Sequence, residues 1–165
     1  MPDNIESPVT IPTVAGTPFG GGIYAGRFAI GAQVYGLVIA PADLGELVET
    51  KWGAAKNVDG ALSYNDGYTN TEAMAAAGSA LGKWARGLQI AGHDDWYLPS
   101  RLEALIAFGE VREAAGFARD WYWTSTQSAG HAGYAWYQYF YTGTQTSSNK
   151  SAELRARAVR RFPIQ

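Results

Sequence analysis

Hydrophobic and β-branched residues cluster in two short runs near the start of the chain. Residues 23–30 and 33–40 are separated by the Gly-Ala pair of residues 31–32, which is suited to a tight turn. Two such runs joined by a short glycine-containing turn predict a β-hairpin. The glycines at residues 20–22 are not followed by Gly-Lys-Ser/Thr, so they indicate a turn rather than a phosphate-binding loop.

A strict alternation of residue types marks the C-terminal part of the chain. Successive side chains of a β-strand point to opposite faces of the sheet. Residues 134–141 therefore present two faces: we expect Trp136 and Phe140 on the core side, and three tyrosines on the other, namely Tyr137, Tyr139 and Tyr141. Residues 143–151 are polar and predict a loop, and residues 154–162 predict a last strand.

In the middle of the chain, apolar residues recur at steps of three and four, the spacing of one helix face. Thr69 and Glu72 have the spacing of a capping box at the start of this helix, and Ser100 with Glu103 marks the start of a second one, expected to end within residues 109–116. Helices in the middle, between β-type segments, predict an α+β fold. The stripe on the first helix indicates a core-facing side in preference to a ligand groove, and it consists of Met74, Ala77, Leu81, Trp84 and Leu88.

A chain of 165 residues is most simply one domain with its own core. Residues 1–18 carry four of the seven prolines and no helical period, which predicts an N-terminal arm or linker. We expect residues 19–165 to form the single domain, with the hairpin included. Within it, residues 41–67 are mostly polar and predict an ordered loop with one short strand.

The composition disfavours several classes of function. A formal net charge of −2 gives no basic footprint for nucleic acid, and the chain has no cysteine for disulfides or thiolate metal sites. No apolar run approaches the roughly 20 residues of a membrane span. The acids and prolines of residues 1–12 do not form a signal peptide. If the protein acts outside a cell, we expect it to leave by another route.

The segment of residues 121–149 contains no Asp, Glu, Lys or Arg, and is rich instead in Tyr, Trp, Ser, Thr, Gln and Gly. Antibody paratopes use the same residue types, because aromatic rings give rigid contact area and small polar groups give adaptable hydrogen bonds. We therefore predict a binding surface here. Its candidate ligand-binding residues are Gln127, His131, Tyr134, Tyr137, Tyr139, Tyr141, Gln145 and Asn149.

Groups suited to catalysis or metal binding are sparse. The segment His93-Asp94-Asp95 could offer metal ligands, but its position before a Trp-x-Leu-Pro turn favours a loop that precedes a helix. Ser125 lacks the Gly-x-Ser-x-Gly elbow of a nucleophile. We predict that the protein is not an enzyme and that it uses no catalytic residue, cofactor or metal. Carboxylates for glycoside cleavage would have to come from Asp66, Asp94, Asp95 or Glu103.

Four short motifs follow one another in the second half of the chain. They are Asp95-Trp96-Tyr97-Leu98-Pro99-Ser100-Arg101-x-Glu103, Tyr122-Trp123-Thr124-Ser125-Thr126, Ala135-Trp136 with Phe140 and Gly143, and Arg157-Ala158-Val159-Arg160. Together they resemble the Lcl C-terminal domain family, also called DUF1566, over residues 69–162. The resemblance implies a C-type-lectin-like fold. Residues 19–41 also resemble the leader of phage-encoded members found near tail genes.

Members of this family also occur as variable proteins of diversity-generating retroelements, whose C-terminal segment displays the diversified residues. The resemblance thus implies that residues 121–149 carry the ligand surface and that residues 157–162 form a fixed closing strand. It implies a phage tail-associated receptor-binding protein, located on the virion or otherwise acting outside the cell. The partners we expect are a bacterial surface glycan or protein, other phage tail proteins and further copies of this chain in a homo-oligomer. Nucleic acid and membrane insertion are not expected.

Two other interpretations remain open. The protein could be a structural virion protein whose aromatic strand is a subunit interface, because tyrosines suit either role. It could also be a glycan hydrolase, which would need two acids that converge in a cleft. A sugar-bridging calcium ion is not expected, since the chain lacks the Glu-Pro-Asn, Gln-Pro-Asp and Trp-Asn-Asp triplets of calcium-dependent lectins.

Overall fold

The structure is a computed structural model that describes residues 9–165. Strands outnumber helices, and the predicted α+β class is confirmed. The first eight residues of the predicted arm lie outside the described residues. In chain order the elements are β1 (Pro18–Phe19), β2 (Gly22–Ile30), β3 (Gln33–Ile39), α1 (Ala42–Gly45), β4 (Glu46–Thr50), α2 (Gly67–Ala76), α3 (Ala80–Arg86), α4 (Arg101–Val111), β5 (Trp121–Gln127), β6 (Tyr134–Tyr139), β7 (Gln145–Asn149), β8 (Leu154–Arg157) and β9 (Val159–Ile164).

The predicted hairpin is confirmed as β2 and β3, with Ile30 opposite Gln33. Gly31 takes a left-handed φ of 58° in the turn, where a side chain would crowd the backbone. β9 pairs antiparallel with the other side of β3, and β1 pairs with β2. These four strands form the first sheet, in the order β1-β2-β3-β9.

The second sheet has the order β4-β8-β5-β6-β7. The prediction of a loop over residues 143–151 is wrong for β7, which pairs antiparallel with β6 and places Gln145 opposite Gln138. An antiparallel strand at the edge of a sheet can be polar, because such a sheet can face water on one side. The uncharged segment identified in the sequence thus supplies three consecutive strands of one sheet.

The last strand is divided between the two sheets. The sequence predicts one strand over residues 154–162, whereas the structure has β8 in the second sheet and β9 in the first. Ala158 lies between them, fully buried, and its backbone exchanges hydrogen bonds with Ala40 and Gly45 at 3.0 and 2.9 Å. The chain therefore crosses from one sheet to the other inside the core.

The first predicted helix is two helices. α2 begins at Gly67, and the Asp66 carboxylate accepts a hydrogen bond from the Thr69 amide, so the predicted capping box of Thr69 and Glu72 is wrong. Gly78, with a φ of 94°, ends the segment, and the Ser79 hydroxyl caps α3 through the Gly82 amide at 3.1 Å. The apolar stripe continues across the break because both helices pack on the same core, where Met74 and Leu81 are buried.

The predicted capping box of Ser100 and Glu103 is confirmed at the start of α4. The Glu103 carboxylate is fully buried and accepts hydrogen bonds from the Ser100 amide at 3.0 Å, from the Gly67 amide at 2.9 Å and from the Tyr97 hydroxyl. Burial raises the pKa of Glu103, although these hydrogen bonds act in the opposite direction. One side chain therefore joins the N-termini of α2 and α4.

β5 separates the two largest groups of core side chains. On one side, the ring of Tyr122 lies 4.9 Å from that of Phe140 and 5.1 Å from that of Phe117, in the core that also contains β2 and β3 residues. On the other side, Trp123 packs in the same cluster as Trp52, and both are fully buried.

Lys150 is a fully buried cation at the end of β7. Its ammonium group donates to the Lys56 carbonyl at 2.7 Å and to the Gln127 side-chain oxygen at 2.6 Å, and it lies 4.5 Å from the centre of the Trp52 ring. Burial lowers the pKa of Lys150 to about 8 because it disfavours the charged form.

Replacing Gly67 with alanine should destabilise the protein. The added Cβ would lie 2.5 Å from the Leu98 carbonyl oxygen and 2.6 Å from both the Ser100 amide nitrogen and a Glu103 carboxylate oxygen. We expect the free energy of unfolding, measured with urea, to fall by about 2 kcal/mol, as for an overpacked core. Gly109→Ala is the matched control, because nothing lies within 4 Å of its Cβ position; it should stabilise α4 by up to about 1 kcal/mol. Equal effects of the two substitutions would contradict the role of Gly67.

The burial of Lys150 predicts a pH dependence of stability. Between pH 8 and 10.5 the unfolded chain binds more protons than the folded one, so the free energy of unfolding rises with pH in this window. Lys150→Met removes this titrating group and its pH dependence. We compare the free energies of unfolding of the wild type and of Lys150→Met. Their difference should change by about 2 kcal/mol in favour of the wild type between pH ~7 and ~10. The exposed Lys83, changed to Met, provides the control. Parallel curves for wild type and Lys150→Met would refute the prediction.

Candidate ligand-binding surface

The predicted ligand-binding residues do not form one patch. The register of β6 and β7 places Tyr137 and Tyr139 on one face of the second sheet and Gln145 on the other. Tyr134 and Asn149, which are paired across β6 and β7, share the face of Gln145. The surface of residues 121–149 therefore has two sides with different surroundings.

One side carries a continuous row of rings. The Trp121 ring lies 5.6 Å from Tyr137 and 6.0 Å from Tyr139, and the Tyr139 ring lies 6.0 Å from Tyr141. We call these four residues the aromatic strip. Trp121 is 46% exposed and Tyr141 is 55% exposed, while Tyr137 and Tyr139 are half-buried. Rings that pack against one another in tilted and edge-to-face contacts on a sheet, and are partly open to solvent, provide a rigid apolar surface.

Two features border the aromatic strip. The guanidinium of Arg119 lies 5.0 Å from the centre of the Tyr141 ring, at one end of the strip. Thr146 is exposed on β7 opposite Tyr137, so its hydroxyl lies on the same face as the rings. The ring faces of the strip are thus bordered by one cation and by one neutral hydrogen-bonding group.

Gln127 is not on the surface. Its side chain is buried, and its oxygen accepts from the Val58 amide at 2.7 Å and from the Lys150 ammonium at 2.6 Å. Its nitrogen donates to the Asn57 side chain at 3.0 Å. With all these partners inside the protein, Gln127 orders the loop after β4 and has no surface open to a ligand.

His131, Tyr134 and Asn149 lie at the far end of β6 from the aromatic strip. The rings of His131 and Tyr134 are in contact, with centroids 4.0 Å apart and planes tilted by 33°. His131 Nδ1 accepts from the Gly133 amide at 3.2 Å, and the Asn149 side-chain oxygen accepts from the amide and hydroxyl of Ser151 at 3.0 and 2.9 Å. These polar atoms therefore stabilise turns, although His131 and Asn149 remain exposed.

Trp136 is half-buried, although the sequence predicts it on the core side. The residue that covers it is Arg101, which was not selected as a site residue from the sequence. The guanidinium of Arg101 stacks on the Trp136 ring at 3.7 Å from its centre. Phe140, expected on the same side, is buried as predicted. Arg101 follows the helix cap of α4 and is 35 residues from Trp136, so no local sequence pattern connects the two.

Of the four carboxylates considered for catalysis, Asp66, Asp95 and Glu103 have partners inside the protein, while Asp94 is exposed. Arg161 contacts Asp66 at 2.8 Å, and Arg160 contacts Asp95 at 2.7 Å. Burial alone would raise the pKa of both acids, but hydrogen bonds, from Thr69 and Arg161 to Asp66 and from Arg160 to Asp95, outweigh it and lower both pKa values. Low pKa values suit ion pairing and are the opposite of what a general acid needs.

Two further properties hold for the described residues. Between residues 9 and 165, no three histidine or acidic side chains are grouped so that they could hold a metal ion. In the same range, no helix has both the length and the apolar character needed to cross a membrane.

Comparison with known proteins identifies the region around this surface. The model of the Lcl C-terminal domain family matches residues 47–160, which run from β4 into β9 and include both faces of β5, β6 and β7. No curated protein sequence matches the chain. The family match covers more than half of the chain and contains all four motifs noted in the sequence. The chain therefore belongs to the Lcl C-terminal domain family.

Proposed function

We propose that this protein is a binding module with a C-type-lectin-like fold and that the aromatic strip is its recognition surface. In its most concrete form it is a phage or prophage tail-associated receptor-binding protein, of the type that diversity-generating retroelements vary. It acts on the virion or otherwise outside the producing cell, as a homo-oligomer beside other tail proteins. The observation that carries the proposal is the row of four neighbouring rings in the aromatic strip, of which Trp121 and Tyr141 are open to solvent.

The chemistry of the strip suits a glycan on a bacterial surface. Aromatic rings cover the apolar C–H faces of sugar rings, and a hydroxyl such as that of Thr146 can exchange hydrogen bonds with sugar hydroxyls. Tyr and Trp dominate the energy of many binding surfaces because they bury much area at low cost in side-chain entropy. A protein epitope with an apolar centre would use the same features, so the receptor class is a glycan or a protein.

The proposed surface is smaller than the set of residues selected from the sequence. It contains Tyr137, Tyr139 and Tyr141 and adds Trp121. A ligand on the aromatic strip would not reach Gln145, on the opposite face of the sheet, or the buried side chain of Gln127. We therefore propose direct contact only for the four ring residues and Thr146, and we propose no catalytic step.

Binding to a panel of bacterial strains tests this proposal. The double variant Trp121→Ala, Tyr141→Ala removes the two most exposed rings of the strip and leaves the half-buried ones in place. We expect strain-selective binding of the wild type and a rise in Kd of at least about tenfold in the variant, since hot-spot aromatics contribute about 2 kcal/mol or more. Leu62→Ala, a change at another exposed hydrophobic residue, is the control and should bind as the wild type does.

The oligomer size of each variant, measured by light scattering, separates the alternatives. Unchanged binding by a folded double variant would show that the strip is not the receptor surface. If the wild type binds no strain and the double variant dissociates into smaller species, the strip is a subunit interface and the structural role replaces the proposed one.

A further inference from the structure

Arg101 is held between two aromatic rings on the face of the second sheet that does not carry the aromatic strip. Its guanidinium lies 3.7 Å from the centre of the Trp136 ring and 5.4 Å from that of the Tyr64 ring. Tyr64 is 48% exposed, and Arg101 and Trp136 are each half-buried. We call these three residues the arginine clamp.

Hydrogen bonds fix the orientation of the guanidinium within the clamp. Arg101 Nε donates to the Gln145 side-chain oxygen at 2.9 Å. The Gln145 side-chain nitrogen donates to the Arg101 carbonyl and to the oxygen of the fully buried Gln138, both at 2.8 Å. Because Gln145 is held from two sides, the guanidinium has little rotational freedom left. A group fixed in this way loses little entropy when it binds a partner.

The charge of Arg101 is not neutralised by any acid among residues 9–165. Five other arginines in this range form ion pairs with Asp or Glu: Arg86, Arg155, Arg157, Arg160 and Arg161. Arg101 contacts Trp136 and Gln145, and the segment that contains both, residues 121–149, has no acidic residue. Arg101 therefore has no carboxylate within ion-pair distance among the described residues, which leaves its charge available to an anionic partner.

Arg101 differs from Arg157 in the use of its terminal nitrogens. Both terminal nitrogens of Arg157 are used inside the protein, Nη1 by the Ala115 carbonyl at 2.6 Å and Nη2 by the Gly116 carbonyl at 3.0 Å. The Nη atoms of Arg101 have no hydrogen-bond partner among the described residues. They are not buried either, because in this range the only buried side-chain nitrogen or oxygen without a partner is Gln138 Nε2. Solvent therefore reaches them, and a ligand could do so too.

We propose that the arginine clamp is an anion-binding site that takes the carboxylate of an acidic sugar. The two Nη groups form a planar fork that matches the two oxygens of a carboxylate. Stacking on Trp136 and Tyr64 keeps the guanidinium planar, oriented and partly dehydrated, which strengthens its interaction with an anion. Recognition of the anion stands independently of the aromatic strip, whereas the assignment of a sugar as its carrier rests on the proposed glycan-binding function.

A titration followed by nuclear magnetic resonance tests the site in the full chain. The signals to follow are Nε–H of Arg101 and the indole N–H of Trp136. Glucuronate should shift both signals in a saturable way, glucose should not, and sodium chloride should weaken the effect because it screens the charge. Arg101→Gln no longer has the Arg101 signal and should abolish the shift of the Trp136 indole N–H. Arg27→Gln is the control, since Arg27 is an exposed arginine on β2 and also has no acidic partner among residues 9–165.

Two additional variants test the clamp: one separates a binding role from a structural one, and the other separates the clamp from the aromatic strip. Arg101→Lys keeps the charge but loses the planar fork, so we expect at least about fivefold weaker binding of glucuronate in a chain that remains folded. The double variant Trp121→Ala, Tyr141→Ala should keep the full glucuronate response. If the aromatic strip does not bind a receptor, the glucuronate response at the clamp is unaffected. If the clamp does not bind glucuronate, receptor binding through the strip is unaffected.

Each outcome decides the proposal. Equal shifts with glucose and glucuronate, or an unchanged response in Arg101→Gln, would overturn it. Acetate that binds as tightly as glucuronate would retain the carboxylate site and overturn the sugar as its carrier. Inorganic phosphate that binds more tightly than either would overturn the carboxylate in favour of a phosphate ester.

Discussion

The buried carboxylate of Glu103 is the interaction on which the rest of the structure depends. It accepts hydrogen bonds from the first residue of α2, from the residue that caps α4 and from the Tyr97 hydroxyl. Tyr97 in turn exchanges two backbone hydrogen bonds of 2.8 Å with Val159 in the first sheet, and the Pro99 carbonyl accepts one of 2.8 Å from Ser125 in the second. A buried carboxylate is stable only with such partners. The two helices and both sheets are thus fixed relative to one short segment, residues 97–103.

This arrangement positions both candidate surfaces. Ser125 holds β5 against the segment before α4, and β6 and β7 are added to β5 by pairing. The same segment delivers Arg101, the first residue of α4, onto the Trp136 ring. Gly143 also contributes, because a Cβ there would lie 2.7 Å from the Phe108 ring and would separate α4 from the turn between β6 and β7. Glycine at this position, where φ is 83°, therefore lets the Phe108 ring of α4 pack closely against the turn.

Local patterns in the sequence predict the elements but not their long-range partners. The hairpin, the Ser100–Glu103 capping box and the alternation of β6 follow from neighbouring residues, and the structure confirms them. The break at Gly78, the strand β7 and the division of the last strand depend on packing or pairing with distant segments. The same limit explains Gln127 and Arg101. Gln127 is buried because its side-chain oxygen accepts hydrogen bonds from Lys150 and Val58. Arg101 lies over Trp136 because α4 packs on β6. Neighbouring residues in the sequence do not indicate either contact.

The absence of charge in residues 121–149 has a different consequence on each face of the sheet. On the face of the aromatic strip it leaves rings and a threonine hydroxyl, so recognition there would depend on contact area and shape. On the other face it means that none of these strands supplies an acid to pair with the Arg101 guanidinium. Strand alternation keeps these surfaces apart by the thickness of one sheet. Variation of the exposed ring residues could therefore change what the strip binds without disturbing the clamp, because Gln145, Gln138 and Trp136 point to the opposite side.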